Sequence, residues 1–190
     1  MIVALGDSIT SGQYLPPEQA WPQQLSRITG RRVMNAGVAN ETTRQGLERF
    51  PRHVQSVRPE ALVIQFGLND CNRWKSDRGL PRVSRSAYAA NLREMVTRAF
   101  AFDIATVVIC GLTPTQKSEQ HSLDAGQYNR IAREVASSMS VEFCASPFGP
   151  FRSTHLIDDL HLSEEGHRIY AEGVAACLNI SFPTAKSAAA

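Results

Sequence analysis

The sequence predicts an α/β sandwich in which helices cover a mostly parallel five-stranded sheet. Five apolar segments of strand length are spread along the chain, and the segments between them repeat apolar residues at helical spacing. Strands that alternate with helices form parallel βαβ units, and this alternation is the main reason for the prediction.

The predicted strands are Ile2–Leu5, Arg32–Asn35, Ala61–Phe66, Ala105–Cys110 and Val141–Ala145. The third and the fourth are almost continuously apolar, which is typical of strands that are covered on both faces. This pattern favours a parallel sheet over an antiparallel one with a solvated face.

Two shorter helices are predicted in the first third of the chain. Pro22 is suited to the first turn of one helix, which ends near Thr29 with Gly30 as its stop signal. Thr42 or Thr43 can cap the other, and Pro51 should bend or interrupt it, because proline removes a hydrogen bond from the helix interior.

Three further helices have clear apolar faces. One begins after Ser84 or Ser86, and the next carries Tyr128 and Val135 on its apolar side. The last begins at Ser163, where two following glutamates suit the positive end of the helix dipole.

Size and composition predict one globular domain. The chain has 190 residues, of which 43% are hydrophobic and 20% charged. We expect residues 1–180 to form a single domain and residues 181–190 to be a flexible or cloning-derived tail. The sequence carries no signal for the oligomeric state.

Charge and hydropathy limit the partners. The net charge of +2 gives no reason to expect nucleic acid, and no apolar segment is long enough to span a bilayer. The N-terminal residues lack the features of a signal peptide, so the expected location is the cytoplasm.

The cysteines and histidines do not indicate a metal site. The cysteines are Cys71, Cys110, Cys144 and Cys177. Their spacing matches no zinc or disulfide pattern, so we expect free thiols. His155, His161 and His167 also match no compact zinc motif, and we expect no cofactor. We place His167 at the surface or beside the site, and His53 and His121 in solvent.

Polar segments follow the first three predicted strands. Ser8 comes after the first, Gly37 after the second, and Asn69 after the third. The carboxyl ends of parallel strands meet at one edge of the sheet, which is where ligands bind in open α/β folds. We therefore expect these residues to lie close together.

A candidate base and acid lie near the end of the chain. A serine hydroxyl becomes an effective nucleophile when a base takes its proton, and His161 is the candidate base for Ser8. Asp158 precedes His161 by three residues, so one tight turn can bring its carboxylate to the imidazole. Asp159 is a rival for this role.

Attack by Ser8 would create an oxyanion that needs hydrogen-bond donors. The backbone N–H groups of Ser8 and Gly37 and the side-chain amide of Asn69 could supply three, each worth about 3 kcal/mol in the transition state. A glycine at 37 would let the backbone approach the substrate and would tolerate a positive φ. We expect Asp70 to bond local backbone and hold its loop.

Four blocks resemble, in order, those of the SGNH, or GDSL-type, esterase/lipase family. They are Gly6-Asp7-Ser8, Gly37, Gly67-x-Asn69-Asp70 and Asp158-x-x-His161. The resemblance implies a flavodoxin-like, three-layer α/β/α fold and metal-free hydrolysis of esters or thioesters. It also implies Ser8 as nucleophile and oxyanion donor, Gly37 and Asn69 as further donors, and Asp158 with His161 as the rest of the triad.

Two residues depart from the usual family pattern. Ile9 replaces the leucine of the name-giving motif, and Asp159 stands where many members have glycine. Residues 35–47 are locally similar to bacterial thioesterase/lysophospholipase members. This likeness is too local to decide the substrate.

A basic segment follows Asn69. It contains Arg73, Lys75, Arg78, Arg82 and Arg85. One interpretation is a solvated loop and helix start. The other is a substrate pocket formed by Arg73, Trp74 and Lys75, in which the charges favour an anionic substrate and Trp74 is an aromatic wall.

The predicted function is hydrolysis of a small-molecule carboxylic ester or thioester through an acyl-enzyme on Ser8. One alternative is an acyltransferase that uses the same triad and passes the acyl group to a sugar or another alcohol. A non-catalytic flavodoxin-like binding module is the alternative of another class, and it would not react with a fluorophosphonate. Acetylated carbohydrate, short aliphatic ester, thioester and lysophospholipid all remain open as substrates.

Overall fold

The sheet in the computed structural model, which describes residues 1–178, is fully parallel. Its strands are β1 (Ile2–Gly6), β2 (Val33–Gly37), β3 (Ala61–Gln65), β4 (Thr106–Cys110) and β5 (Glu142–Cys144). The order β2-β1-β3-β4-β5 is that of flavodoxin-like folds. The predicted fold class is therefore confirmed, and the strand ends differ from the prediction by one or two residues.

Six α-helices lie within residues 1–178. They are α1 (Ser8–Ser11), α2 (Trp21–Thr29), α3 (Thr43–Glu48), α4 (Arg85–Ala101), α5 (Glu119–Ser138) and α6 (Glu164–Cys177). Helix α2 packs against α6, whereas α4 packs against both α3 and α5. Since β1 and β3 are buried along their whole length, the two groups of helices form one layer on each face of the sheet.

The helix ends follow the predicted signals. Gly30, in the left-handed region with φ 66°, ends α2. Thr42 precedes α3, and a π-helical turn begins at Pro51, so the predicted interruption is confirmed. The hydroxyls of Ser84 and Ser163 cap α4 and α6 by accepting backbone N–H groups three residues ahead.

The strand register brings three loops to one edge of the sheet. Gly6 at the end of β1 is level with Gly37 of β2 and with Gln65 of β3. The chain therefore leaves all three strands at the same height, and the segments that follow them lie side by side. This edge carries the candidate active site.

Within residues 1–178, no helix combines the length and the apolar character needed to cross a bilayer. The four cysteines are free thiols. The predicted tail, residues 181–190, lies outside the described residues.

Candidate active site

Three side chains meet beyond the end of β1. The Nε2 atom of His161 lies 3.1 Å from the Oγ atom of Ser8, and its Nδ1 atom lies 2.8 Å from the Oδ2 atom of Asp158. The hydroxyl, the imidazole and the carboxylate are thus in line. With this geometry His161 can accept a proton from Ser8 while Asp158 holds the ring.

A tight turn holds the carboxylate beside the imidazole. The Oδ1 atom of Asp158 accepts the backbone N–H groups of Leu160 and His161 at 2.8 and 2.6 Å. Burial raises the pKa of Asp158, but these bonds and the one to the imidazole outweigh it and leave the pKa below its usual value. Asp159 instead uses its backbone carbonyl to accept the N–H of Gln116.

Local constraints place Ser8 at the first residue of α1. The Oδ1 atom of Asp7 accepts the N–H of Ile9 at 2.9 Å and so caps this helix, which the sequence had not predicted. Burial raises the pKa of Asp7 to about 7. A Cβ atom on Gly6 would lie 2.1 Å from the hydroxyl of Thr10, so no side chain fits there.

The side-chain amide of Asn69 is oriented by the loop that follows β2. Its Nδ2 atom donates to the backbone carbonyl of Glu41 at 3.0 Å, and the residue is only 8% exposed. One amide hydrogen is used in this bond, and the other is available for a ligand.

Gly37 is a glycine for a reason other than the expected one. Its φ is not positive, and a Cβ atom there would lie 2.2 Å from the backbone nitrogen of Ser11 in α1. Its N–H already donates to the side chain of Asn35 at 2.9 Å. Close packing of α1 on β2 therefore explains the glycine, and its role as an oxyanion donor stays a prediction.

The loop after β2 contains a strained residue that sequence reasoning missed. Asn40 has a φ of 66°, and its side-chain and backbone oxygens both accept from Arg82, at 3.0 and 2.9 Å. Its own N–H has no hydrogen-bond partner within residues 1–178. A non-glycine residue at positive φ is uncommon, although asparagine tolerates it better than most residues.

Tyr14 was also missed. Its ring contacts the ring of His161 edge-to-face, with the centroids 5.1 Å apart, although 65% of the residue is exposed. Its backbone is in the left-handed region with φ 72°. Nothing in the local sequence indicates this contact, because it depends on how the loop after α1 folds over the site.

Residues 4–169 match the family model of the GDSL-like lipase/acylhydrolase family. The chain belongs to this family. The resemblance seen in the four sequence blocks is thereby confirmed, and the protein is a carboxylic ester hydrolase of the GDSL type.

Two relatives of this GDSL-type hydrolase extend over most of its length. It is 28% identical over 187 residues to an arylesterase of Vibrio mimicus, and the alignment covers 92% of this chain and 86% of the relative. It is also 28% identical over 167 residues to esterase TesA of Pseudomonas aeruginosa, and the alignment covers 84% of this chain and 78% of the relative.

Solved structures show the same fold. A lipase/acylhydrolase from Enterococcus faecalis superposes with a TM-score of 0.80 at 21% identity, over 97% of this chain and 98% of the other. Axe2, an acetylxylan esterase from Geobacillus stearothermophilus, superposes with a TM-score of 0.77 at 20% identity, over 97% and 96% of the two chains.

The main hydrogen-bond partner of the Asp70 carboxylate is Thr43, which lies outside the local backbone that was expected. It accepts the backbone N–H of Thr43 at 3.1 Å and also the hydroxyl of Thr43. Burial raises the pKa of Asp70 to about 6. The carboxyl group therefore joins the loop after β3 to the start of α3, which are far apart in sequence.

His121, which was predicted to lie in solvent, is buried, and His167 is buried as well. His121 bonds the carbonyl of Leu68 through Nε2 at 3.1 Å, and burial lowers its pKa. His167 is 1% exposed, its Nδ1 atom accepts the N–H of Trp21 at 3.1 Å, and burial lowers its pKa to about 4. Both rings lie on inward faces of helices, and the polar residues around them in the sequence do not indicate this. His53, which was also predicted to lie in solvent, is half-buried.

No group of three or more His, Cys, Asp or Glu side chains in the described part of the chain is arranged to hold a metal ion.

The three candidate pocket residues do not form one surface. Arg73 bonds both carboxylate oxygens of Asp124, at 2.7 and 3.0 Å, and lines a cavity of about 320 Å³. The ring of Trp74 lies under the guanidinium of Arg82 at 4.4 Å and faces a separate cavity of about 190 Å³. Lys75 is exposed. Their role as a shared substrate pocket stays a prediction.

Proposed function

We propose that the protein hydrolyses small-molecule carboxylic esters through an acyl-enzyme on Ser8. The single observation that supports this most is the alignment of Ser8, His161 and Asp158, with contacts of 3.1 and 2.8 Å. A serine hydroxyl in contact with an imidazole, which is itself held by a carboxylate, is the arrangement that activates serine as a nucleophile.

The reaction has two halves. In the first, Ser8 Oγ attacks the carbonyl carbon and His161 takes its proton; the oxyanion then collapses, and His161 gives that proton to the leaving alcohol. In the second, His161 takes a proton from water, whose oxygen attacks the acyl carbon. Collapse of this intermediate releases the acid and returns the proton to Ser8.

Two donors for the oxyanion are the backbone N–H of Ser8 and the free amide hydrogen of Asn69. For a third donor, the contacts favour Asn40 over the predicted Gly37. The N–H of Gly37 is engaged by Asn35, whereas that of Asn40 has no partner within residues 1–178. Glu41, the next residue, contacts Asn69, so Asn40 lies beside the proposed site.

The test is Ser8→Ala. This variant should lose hydrolysis of p-nitrophenyl acetate and covalent labelling by a fluorophosphonate, because both need the serine oxygen. Ser26→Ala, which removes an exposed hydroxyl on α2, is the matched control and should keep both. If Ser8→Ala still turned over the ester, the mechanism would be wrong.

The substrate class needs a panel of compounds. The relatives are named as an arylesterase and an esterase, and Axe2 as an acetylxylan esterase, so aryl acetates and acetylated xylo-oligosaccharides are the first to compare. Acyl thioesters extend the panel. Addition of acceptor alcohols would reveal transfer products if the enzyme is an acyltransferase.

A further inference from the structure

Arg49, which follows the last residue of α3, contacts both sides of the proposed oxyanion site. Its Nη2 atom donates to the carbonyl of Gly6, two residues before Ser8, at 2.9 Å. Its Nε atom donates to the carboxylate of Glu41 at 2.5 Å. The backbone carbonyl of the same glutamate accepts the side-chain amide of Asn69 at 3.0 Å. One guanidinium group thus links the nucleophile strand to the residue that holds Asn69.

The linkage is well shielded from solvent. The side chains of Arg49 and Glu41 are only 12% and 17% exposed. A pair in this position is screened little by salt, and its geometry is restrained by the surrounding atoms. By contrast, the Arg98–Glu94 pair on α4 has side chains that are 42% and 47% exposed.

The loop formed by residues 38–41 is also bonded to the carbonyl group of Gly6. The N–H of Val38 also donates to Gly6, at 3.0 Å, and the N–H of Glu41 turns back to the carbonyl of Val38 at 3.4 Å. The short segment 38–41 is therefore held at its start by Gly6 and at its end by Arg49. Asn40, with its strained backbone, lies inside this segment.

We propose that Arg49 is a positioning residue for the oxyanion site, and that it acts through Glu41 on the amide of Asn69. This inference rests on the proposed serine-esterase function. Donors stabilise an oxyanion only when they lie about 2.7–3.1 Å from the position that the oxygen reaches in the transition state. A small displacement of Glu41 would move Asn69 out of this range without changing its chemistry.

The fork of the guanidinium is what allows both contacts. Lysine carries the same charge but has a single ammonium group, and it cannot reproduce two divergent N–H directions from a planar group. Arg49→Lys keeps a cation beside Glu41 and removes the bond to the carbonyl of Gly6. The variant therefore tests the positioning of the loop rather than the effect of the charge.

The first experiment compares Arg49→Lys with the wild type on p-nitrophenyl acetate. We expect kcat to fall about 10- to 100-fold, with KM changed less than about threefold, because loss of a transition-state contact lowers kcat. Arg98→Lys, in the exposed pair on α4, is the matched control and should leave both constants unchanged. A fall confined to KM would overturn the proposal.

The decisive experiment is a double-mutant cycle with Asn69→Ala. If Arg49 acts through Asn69, Arg49→Lys should lower kcat less than about threefold once that amide is absent. A merely structural role would instead lower kcat by the same factor in both backgrounds, and that result would refute the inference.

A second variant guards against misfolding of Arg49→Lys. Glu41→Gln keeps the backbone carbonyl that holds Asn69 but weakens the bond to Arg49, and it should show the same loss of kcat and the same dependence on Asn69. Ser8→Ala is measured in parallel. Residual turnover by Ser8→Ala would count against the proposed function. If Ser8→Ala is inactive but Arg49→Lys lowers kcat by the same factor with and without the Asn69 amide, only the role of Arg49 is refuted.

Discussion

At the scale of single residues, the choice between two adjacent aspartates shows how a turn selects chemistry. Asp158 bonds the ring of His161 and also accepts two backbone N–H groups of its own turn. Asp159 is exposed, and its carbonyl contacts the loop before α5. The spacing of three residues lets the carboxylate fold back onto the imidazole, and the spacing of two directs the side chain to solvent.

This difference predicts unequal effects of the same substitution. Asp158→Asn should lower kcat by about 10³- to 10⁴-fold, because the amide no longer stabilises the correct tautomer and the charged imidazole. Asp159→Asn is the matched control and should change kcat less than about threefold. Steady-state kinetics on p-nitrophenyl acetate provides the measurement, and equal losses in the two variants would show that the carboxylate assignment is wrong.

At the scale of secondary-structure elements, the site depends on how closely α1 approaches β2. Gly37 has no room for a side chain, because a Cβ atom would meet the backbone of Ser11. Gly6 has the same restriction toward Thr10. Two glycines at level positions on neighbouring strands therefore let the helix that begins with Ser8 lie directly on the sheet edge.

Gly37→Ala should move α1 and destabilise the protein. Crowding of this kind costs about 1–3 kcal/mol of the free energy of unfolding. Since α1 begins with Ser8, the rate of fluorophosphonate labelling should fall as well.

Gly126→Ala in α5 is the control for this substitution, because a Cβ atom there meets nothing within 4 Å. It should be neutral or stabilise by up to about 1 kcal/mol, since alanine is the better helix former. Urea unfolding and labelling rates measure both variants. Wild-type behaviour of Gly37→Ala would disprove the packing explanation.

At the scale of the whole molecule, a buried histidine joins the two helices on one face of the sheet. His167 of α6 accepts the first N–H of α2, from Trp21, at 3.1 Å. Burial lowers its pKa to about 4, and the charge of His161 acts in the same direction. The ring is therefore neutral in the folded protein at neutral pH, and the contact between α2 and α6 relies on its unprotonated nitrogen.

The stability contributed by His167 should be lost in acid. The folded-state pKa of about 4 lies below the unfolded value of 6.5, so the unfolded chain binds more protons as pH falls between these values. Relative to His167→Asn, whose side-chain oxygen can still accept the N–H of Trp21, the wild type should lose about 2 kcal/mol between pH 7 and pH 5.

Urea unfolding of both proteins at several pH values measures this difference. The comparison cancels the opposite contributions of Asp7 and Asp70, whose raised pKa values favour the folded state in acid. A constant difference between the two proteins across this range would mean that His167 does not titrate as inferred.

Most of the fold could be predicted from the sequence because its signals are local. Apolar runs mark the five strands, and residues such as Ser84, Ser163 and Gly30 mark helix ends through hydrogen bonds and backbone angles of near neighbours. Parallel order then follows from the alternation of elements, and the edge of the sheet that binds ligands follows from parallel order. The location of Ser8, Gly37 and Asn69 at one edge is thus contained in the sequence.

The tertiary structure alone decided the contacts between distant segments. Arg49 with Gly6, Asn69 with Glu41, and Tyr14 with His161 each join loops whose relative placement depends on packing of the whole chain. A polar residue in sequence carries no mark of which remote partner it will bond, so His121 is predicted to lie in solvent although it is buried. The sequence by itself determined the fold class and the reactive groups, whereas packing determined which backbone groups orient them, because orientation is a property of contacts and not of composition.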